Sequence, residues 1–86
     1  TAWGVETHKK YTADALQHIL ETLDGGTLGI VLRAKGIVAA EDGQWLHFDF
    51  VPGEVNLRTG TPAVTGKLCV IGANLNENAI AELFGV

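Results

Sequence analysis

The feature that most constrains the fold is a pair of β-rich runs, residues 28–38 and 44–50, joined by a turn that contains Asp42-Gly43. Such a pattern is typical of a β-hairpin. Because strand side chains point alternately to opposite faces, the hairpin has two distinct sides. The predicted core side carries Ile30, Leu32, Ala34, Leu46, Phe48 and Phe50. The reverse side carries Val31, Arg33, Lys35, Ile37, Trp45, His47, Asp49 and Val51. We expect the rest of the chain to cover the first side and function to lie on the second.

One helix is predicted before these strands in the chain, and a second helix is predicted near the end of the chain. The first follows the N-cap residue Thr12 and carries an apolar stripe at helical spacing. The stripe consists of Leu16, Ile19, Leu20 and Leu23. The second helix follows the N-cap Asn76 and ends at Gly85. Further strands are predicted at residues 3–8, 54–58 and 67–72. The last is apolar on both faces, so we expect it in the middle of the sheet, covered on both sides or by a partner.

The predicted order of elements is β-α-β-β-β-β-α. A strand–helix–strand unit with another strand inserted between its two strands is the split β-α-β arrangement of ferredoxin-like folds. The sequence therefore predicts an α+β two-layer sandwich, with a mostly antiparallel four- to five-stranded sheet and two helices on one face. We expect residues 1–86 to form a single domain. Since the chain starts without Met and enters strand-like sequence at once, we expect it to be a fragment of a longer protein.

Composition excludes several classes of function. The net charge of −4 argues against nucleic-acid binding, because phosphate recognition normally requires a basic excess. No apolar run approaches the roughly 20 residues that cross a bilayer, so no membrane partner is expected. Cys69 is the single cysteine and has no partner for an internal disulfide, which favours a cytoplasmic location.

Two side chains of the second strand suggest a metal site. His47 and Asp49 share one face about 7 Å apart along the chain. Zinc needs at least three protein ligands, and His8 would be the third. The alternative, which we prefer, is that His47 and Asp49 form cross-strand hydrogen bonds, with Asp49 paired to Lys35 or Arg33.

Catalysis is not predicted. No Ser/His/Asp or Cys/His arrangement is recognisable. Residues 60–67 differ from a P-loop, because the glycine spacing is one residue too long and a strand, not a helix, follows.

Recognition of another protein is a stronger prediction than catalysis, because Arg and Trp are enriched at interface centres. The predicted interaction face consists of Arg33, Lys35, Trp45, His47 and Asp49. The alternative is an ordinary solvated sheet face with cross-strand ion pairs.

Three segments together resemble the C-terminal domain of CobW-like P-loop GTPases. They are residues 31–38, residues 45–54, and residues 66–72 followed by the helix that Asn76 caps. Arg33, Lys35 and Gly36 match the family's signature, which has no settled catalytic role. The family comprises metallochaperones and metal-insertion factors tied to cobalamin biosynthesis and zinc homeostasis. Its GTP hydrolysis and its Cys-x-Cys-Cys metal motif lie in an N-terminal domain, and this chain has neither a Walker motif nor such cysteines.

The resemblance thus implies a non-catalytic accessory domain without a cofactor of its own. GTP with Mg²⁺, and Zn or Co, are implied for the parent protein. The implied partners are the N-terminal GTPase domain of the same chain and a metalloprotein or chelatase target, and a homo-oligomer is also compatible with an open sheet face. Two other functions stay open: a metal-binding module that uses His47, Asp49 and His8, and a small-ligand regulatory domain of ferredoxin-like type.

Overall fold

The computed structural model describes residues 1–86 and contains six strands and two helices. In chain order the elements are β1 Ala2–Thr7, β2 Lys10–Tyr11, α1 Ala13–Asp24, β3 Ile30–Ala40, β4 Trp45–Val51, β5 Glu54–Gly60, β6 Gly66–Ala73 and α2 Glu77–Phe84. The five longer strands form an antiparallel sheet in the order β1-β6-β3-β4-β5. The predicted α+β class is confirmed. The two-residue β2, which the sequence did not reveal, adds in parallel to the end of β3.

The split β-α-β arrangement is present at one end of the sheet. Strand β6 lies between β1 and β3 and is antiparallel to both, so β1 and β3 run in the same direction. Strand β6 is therefore interior, but the middle position that we expected for it belongs to β3. It is also covered on one face only, since Leu68 and Val70 are buried while Lys67 and Ile71 are exposed. Both helices lie on the same side, which leaves the other side of β6 without a covering layer.

Both helices begin at the predicted caps, and α2 ends at the predicted Gly85. The hydroxyl of Thr12 accepts a hydrogen bond from the backbone N–H of Ala15 at 3.1 Å, and the predicted apolar stripe of α1 is buried. The side chain of Asn76 accepts from Ala79 in the same way, also at 3.1 Å. Gly85 ends α2 in the left-handed conformation that glycine adopts without strain. Neither helix is long and apolar enough to cross a membrane.

The core lies between the helices and one face of the sheet. A row of paired residues crosses four strands on this face: Trp3, Val70, Ala34 and Phe50. The buried residues of α1 and α2 belong to the same apolar cluster, and the ring of Phe84 stacks on that of Trp3 with centroids 5.8 Å apart. Both helices therefore cover the same face, as predicted.

The start of β3 departs from the predicted alternation. Val31 pairs with Gly72 and Arg33 pairs with Ile71, so Leu32 is an extra residue of a β-bulge. Leu32 and Arg33 consequently both point away from the core, and Val31 and Ala34 both point into it. The predictions that Ile30 and Leu32 lie in the core and that Val31 lies on the reverse side were wrong for this reason.

Candidate functional site

The predicted interaction residues share the side of the sheet that carries no helix, which we call the open face. Arg33 and Lys35 lie on β3 and are exposed. Trp45, His47 and Asp49 lie on the adjacent antiparallel strand β4 and are half-buried. The structure therefore brings all five side chains onto one surface, as alternation in the hairpin predicts, with Lys35 directly opposite Asp49.

Asp49 bridges two arginines from different strands. Its Oδ1 lies 3.3 Å from Nη2 of Arg33, and its Oδ2 lies 3.3 Å from Nη2 of Arg58. Arg58 also donates from Nη1 to Oδ1 of Asn56 at 2.9 Å. Of the two predicted partners of Asp49, Arg33 forms the ion pair and Lys35 does not. The sequence did not indicate Arg58, because its proximity depends on β5 lying next to β4.

His47 is held at the edge of the open face. Its Nε2 lies 2.7 Å from the backbone carbonyl oxygen of Thr61. Because a carbonyl oxygen only accepts, Nε2 carries the proton and donates. The ring packs over Gly60, where a Cβ would approach Nε2 to 2.6 Å. The imidazole is thus engaged with the end of β5 and its loop, and not with Asp49.

The third candidate metal ligand is far from the other two. His8 follows the end of β1, and strands β6 and β3 separate β1 from β4. Three strand spacings of about 4.8 Å put β1 and β4 about 14 Å apart, too far for His8 and His47 to share a metal ion. No group of three or more His, Cys, Asp and Glu side chains is arranged to hold a metal ion. The structure therefore does not assemble the predicted His8, His47 and Asp49 set.

Large apolar side chains are exposed at the end of the open face where β3 begins. Ile30 is 60% exposed and Leu32 is 56% exposed, next to Val51 at 42% and Ile71 at 39%. These four residues are called the apolar patch below. Arg33 lies among them, since Ile71 is its register partner on β6. The sequence placed Val51 on this side but Ile30 and Leu32 in the core, because the bulge that turns Leu32 outward is not visible there.

Two shallow grooves cross the open face. The first, of about 450 Å³, lies between Arg33, Asp49 and Arg58 and is also lined by Val51 and Glu54. The second, of about 380 Å³, is lined by Lys35, His47, Arg58, Lys67 and Cys69, among others. Both are open depressions that could receive side chains of another protein surface.

The charges of the chain are distributed unevenly between its two sides. Four of the six Lys and Arg residues lie on the open face, namely Arg33, Lys35, Arg58 and Lys67. Only three of the ten Asp and Glu residues do so, namely Glu6, Asp49 and Glu54. The open face thus has a small positive excess, and the remainder of the molecule carries the negative net charge.

Tyr11 lies on the opposite, helix-covered side of the sheet. Its side chain is buried, and its hydroxyl donates a hydrogen bond to the backbone carbonyl of Phe84 at 2.6 Å. Burial raises the pKa of Tyr11 to about 12, because the phenolate would be poorly solvated there. The contact ties the end of α2 to β2 and has a structural role.

Comparisons with known proteins match this fold. The family model described as "Cobalamin synthesis protein cobW C-terminal domain" matches residues 1–86. The crystal structure of the Zn(II)-bound YjiA GTPase from E. coli superposes with a TM-score of 0.81 at 22% identity. A Zn(II)-bound triple mutant of YjiA superposes with a TM-score of 0.83 at 20% identity. In both cases 99% of this chain is covered, and it spans 28% of the length of the matched chain. No curated protein matches the chain significantly.

Proposed function

The chain belongs to the family of CobW C-terminal domains, and we propose that it is a non-catalytic accessory domain of a CobW-like GTPase that recognises another protein surface through its open face. The first partner in this proposal is the GTPase domain of the same parent chain. A metalloprotein or chelatase that receives metal from the parent is the second.

The observation that carries this proposal is the asymmetry of the sheet. One face is covered by both helices, whereas the other exposes the four residues of the apolar patch beside a cluster of cations. Exposed apolar side chains that lie together, with polar residues around them, are typical of protein interaction sites. Arg33, which lies among the residues of the apolar patch, and Trp45, at the other end of β4 on the same face, are of the residue types that dominate binding energy at interfaces.

The choice of the GTPase domain as partner has separate support. The solved structures with the same fold are those of a GTPase, and the matched region is 28% of each chain. A parent of similar organisation would carry this domain and a GTPase domain on one chain, which keeps the two within reach of each other. GTP, Mg²⁺ and the delivered Zn or Co would then be handled outside this domain, in cobalamin biosynthesis or zinc homeostasis.

The two alternative functions have less support. A metal-binding module needs His8 near His47, and the strand order separates them. A small-ligand regulatory domain of ferredoxin-like type would need a pocket between paired domains, and the grooves of this single domain are open on one side.

The test uses the intact parent protein and the reactivity of Cys69. This thiol is the only cysteine of the domain and lies partly exposed on the outward side of β6. Its alkylation by N-ethylmaleimide, followed by mass spectrometry of its peptide, therefore reports whether the open face is covered. We compare wild type with Leu32→Ser and Trp45→Ala, and normalise each rate to that of the protein unfolded in urea.

We expect both substitutions to accelerate alkylation about tenfold, the effect of losing about 1.4 kcal/mol of docking energy. His18→Ala is the matched control, since this exposed residue lies on α1 on the other side of the sheet. Rates that are equal in wild type and in both open-face variants would mean that the open face is uncovered in the parent, and the proposed domain contact would be rejected.

A further inference from the structure

Asp49 and its two arginines form the polar centre of the open face. Each guanidinium uses one nitrogen, Nη2, to contact the carboxylate at 3.3 Å. A guanidinium has five N–H donors, so most donors of Arg33 remain free. Arg58 donates one further hydrogen bond, to Asn56, and also keeps free donors. Glu54 lines the same groove but forms no ion pair with either arginine, so the free N–H donors, and not a net charge, are what a second carboxylate would use. The cluster therefore retains the capacity to bind a second carboxylate.

Stability does not account for this arrangement. All three side chains are roughly half exposed to solvent. Exposed ion pairs contribute little to folding because water and salt screen them and because long side chains lose freedom when they are held. The pair of contacts does, however, hold two guanidiniums from β3 and β5 pointing into one groove. Such convergence is the usual way to recognise a carboxylate with geometric specificity.

The residues around the cluster indicate that a ligand of the arginines also needs apolar groups. Val51 lines the same groove, Leu32 precedes Arg33 in the bulge, and Ile71 is the register partner of Arg33 on β6. A small free anion would leave these apolar side chains in water. A protein segment that carries an acidic residue between apolar ones would bury them and satisfy the arginines at the same time.

We propose, building on the proposed function, that Arg33 and Arg58 bind a carboxylate from an acidic segment with apolar flanks on the parent's GTPase domain, and that Asp49 keeps the two guanidiniums in place until that carboxylate docks. The contact between the open face and this segment is electrostatic as well as apolar, since four of the six Lys and Arg residues of this acidic chain lie on the open face. Asp49 then acts as a positioning residue and as an internal competitor of the incoming carboxylate.

The test again measures alkylation of Cys69 in the intact parent. We expect Arg58→Ala to accelerate alkylation at least tenfold and Arg58→Lys to accelerate it less, because Lys keeps the charge and loses the forked donors. Asp49→Asn should slow alkylation several-fold, since it removes the competing charge and keeps one side-chain oxygen that can still hold a guanidinium in place. High salt should accelerate alkylation in wild type and have a smaller effect in Arg58→Ala. Lys10→Ala, which removes an exposed cation on β2, is the control for net charge.

The two proposals fail in different ways. If Leu32→Ser accelerates alkylation while Arg58→Ala and Asp49→Asn behave like wild type, the open face docks through apolar contacts alone and the carboxylate inference is overturned. If none of these variants changes the rate, the docking of the open face is itself rejected. Loss of a nearby cation would by itself slow a thiol reaction, so acceleration in Arg58→Ala cannot come from altered thiol chemistry.

Discussion

Replacing Tyr11 by Phe removes one buried hydroxyl and nothing else from the core. The hydroxyl donates to the carbonyl of Phe84 at 2.6 Å, and the substitution leaves that oxygen at the end of α2 without this donor. The free energy of unfolding at neutral pH should fall by about 1–2 kcal/mol, the cost of a lost hydrogen bond with a buried acceptor left behind. Chemical denaturation of wild type and Tyr11→Phe measures the difference.

The same residue gives stability a pH dependence whose sign is set by its raised pKa. The pKa of Tyr11 is about 12 in the folded protein and 10.0 in the unfolded chain. Between these values the unfolded chain loses the phenolic proton while the folded protein keeps it. The unfolded state then binds fewer protons, so stability falls as pH rises. Tyr11 makes its full contribution to the free energy of unfolding below pH 10. The contribution is lost as the pH rises from 10 through 12, and the loss is up to about 2.7 kcal/mol for a pKa that is two units higher in the folded protein.

Two measurements separate this effect from general alkaline unfolding. Tyr11 is the only tyrosine, so the ultraviolet absorbance of phenolate reports its titration directly. The two proteins share every other side chain, including Lys9, whose Nζ lies 5.7 Å from the centre of the Tyr11 ring. Subtracting the free energy of unfolding of Tyr11→Phe from that of wild type cancels the contribution of all shared groups. This difference should become smaller above pH 10. Phenolate absorbance appearing near pH 10 while the protein is still folded would refute the reasoning.

Three further predictions concern single residues. Gly36→Ala should lower the free energy of unfolding by about 1–3 kcal/mol, because a Cβ there would lie 2.5 Å from the carbonyl oxygen of Lys67 and 2.6 Å from the Phe48 ring; an unchanged Tm would contradict this. Asn76→Ala should cost about 1 kcal/mol through loss of the cap of α2, and Asn76→Asp, which keeps the acceptor, serves as its control in thermal denaturation. Asp49→Asn should change stability by less than about 1 kcal/mol, since its ion pairs are exposed; a larger loss in denaturant titration would mean that the bridge is structural.

Local signals in the chain were sufficient to predict several parts of this structure. Thr12 and Asn76 are caps because their side chains bond to backbone groups three residues away, which depends on no other part of the fold. The two faces of β4 also followed from alternation alone, so Phe48 is in the core and Asp49 is on the open face. The family resemblance was confirmed by the match over residues 1–86.

Pairing between distant segments decided the rest. The bulge at Leu32 exists because β3 must match β6, which begins 34 residues later in the chain, and it reverses the faces of the residues before it. The Arg58 contact with Asp49 and the short strand β2 likewise depend on which strands become neighbours.

The sequence by itself thus determined the two helices with their caps, the five longer strands and the faces of the regular strands, because these depend on contacts within a few residues. Only the tertiary structure decided where the open face has its apolar patch and its pair of arginines. The physical reason is that strand order and register are set by the whole sheet, and one extra residue in a strand changes which side chains reach solvent.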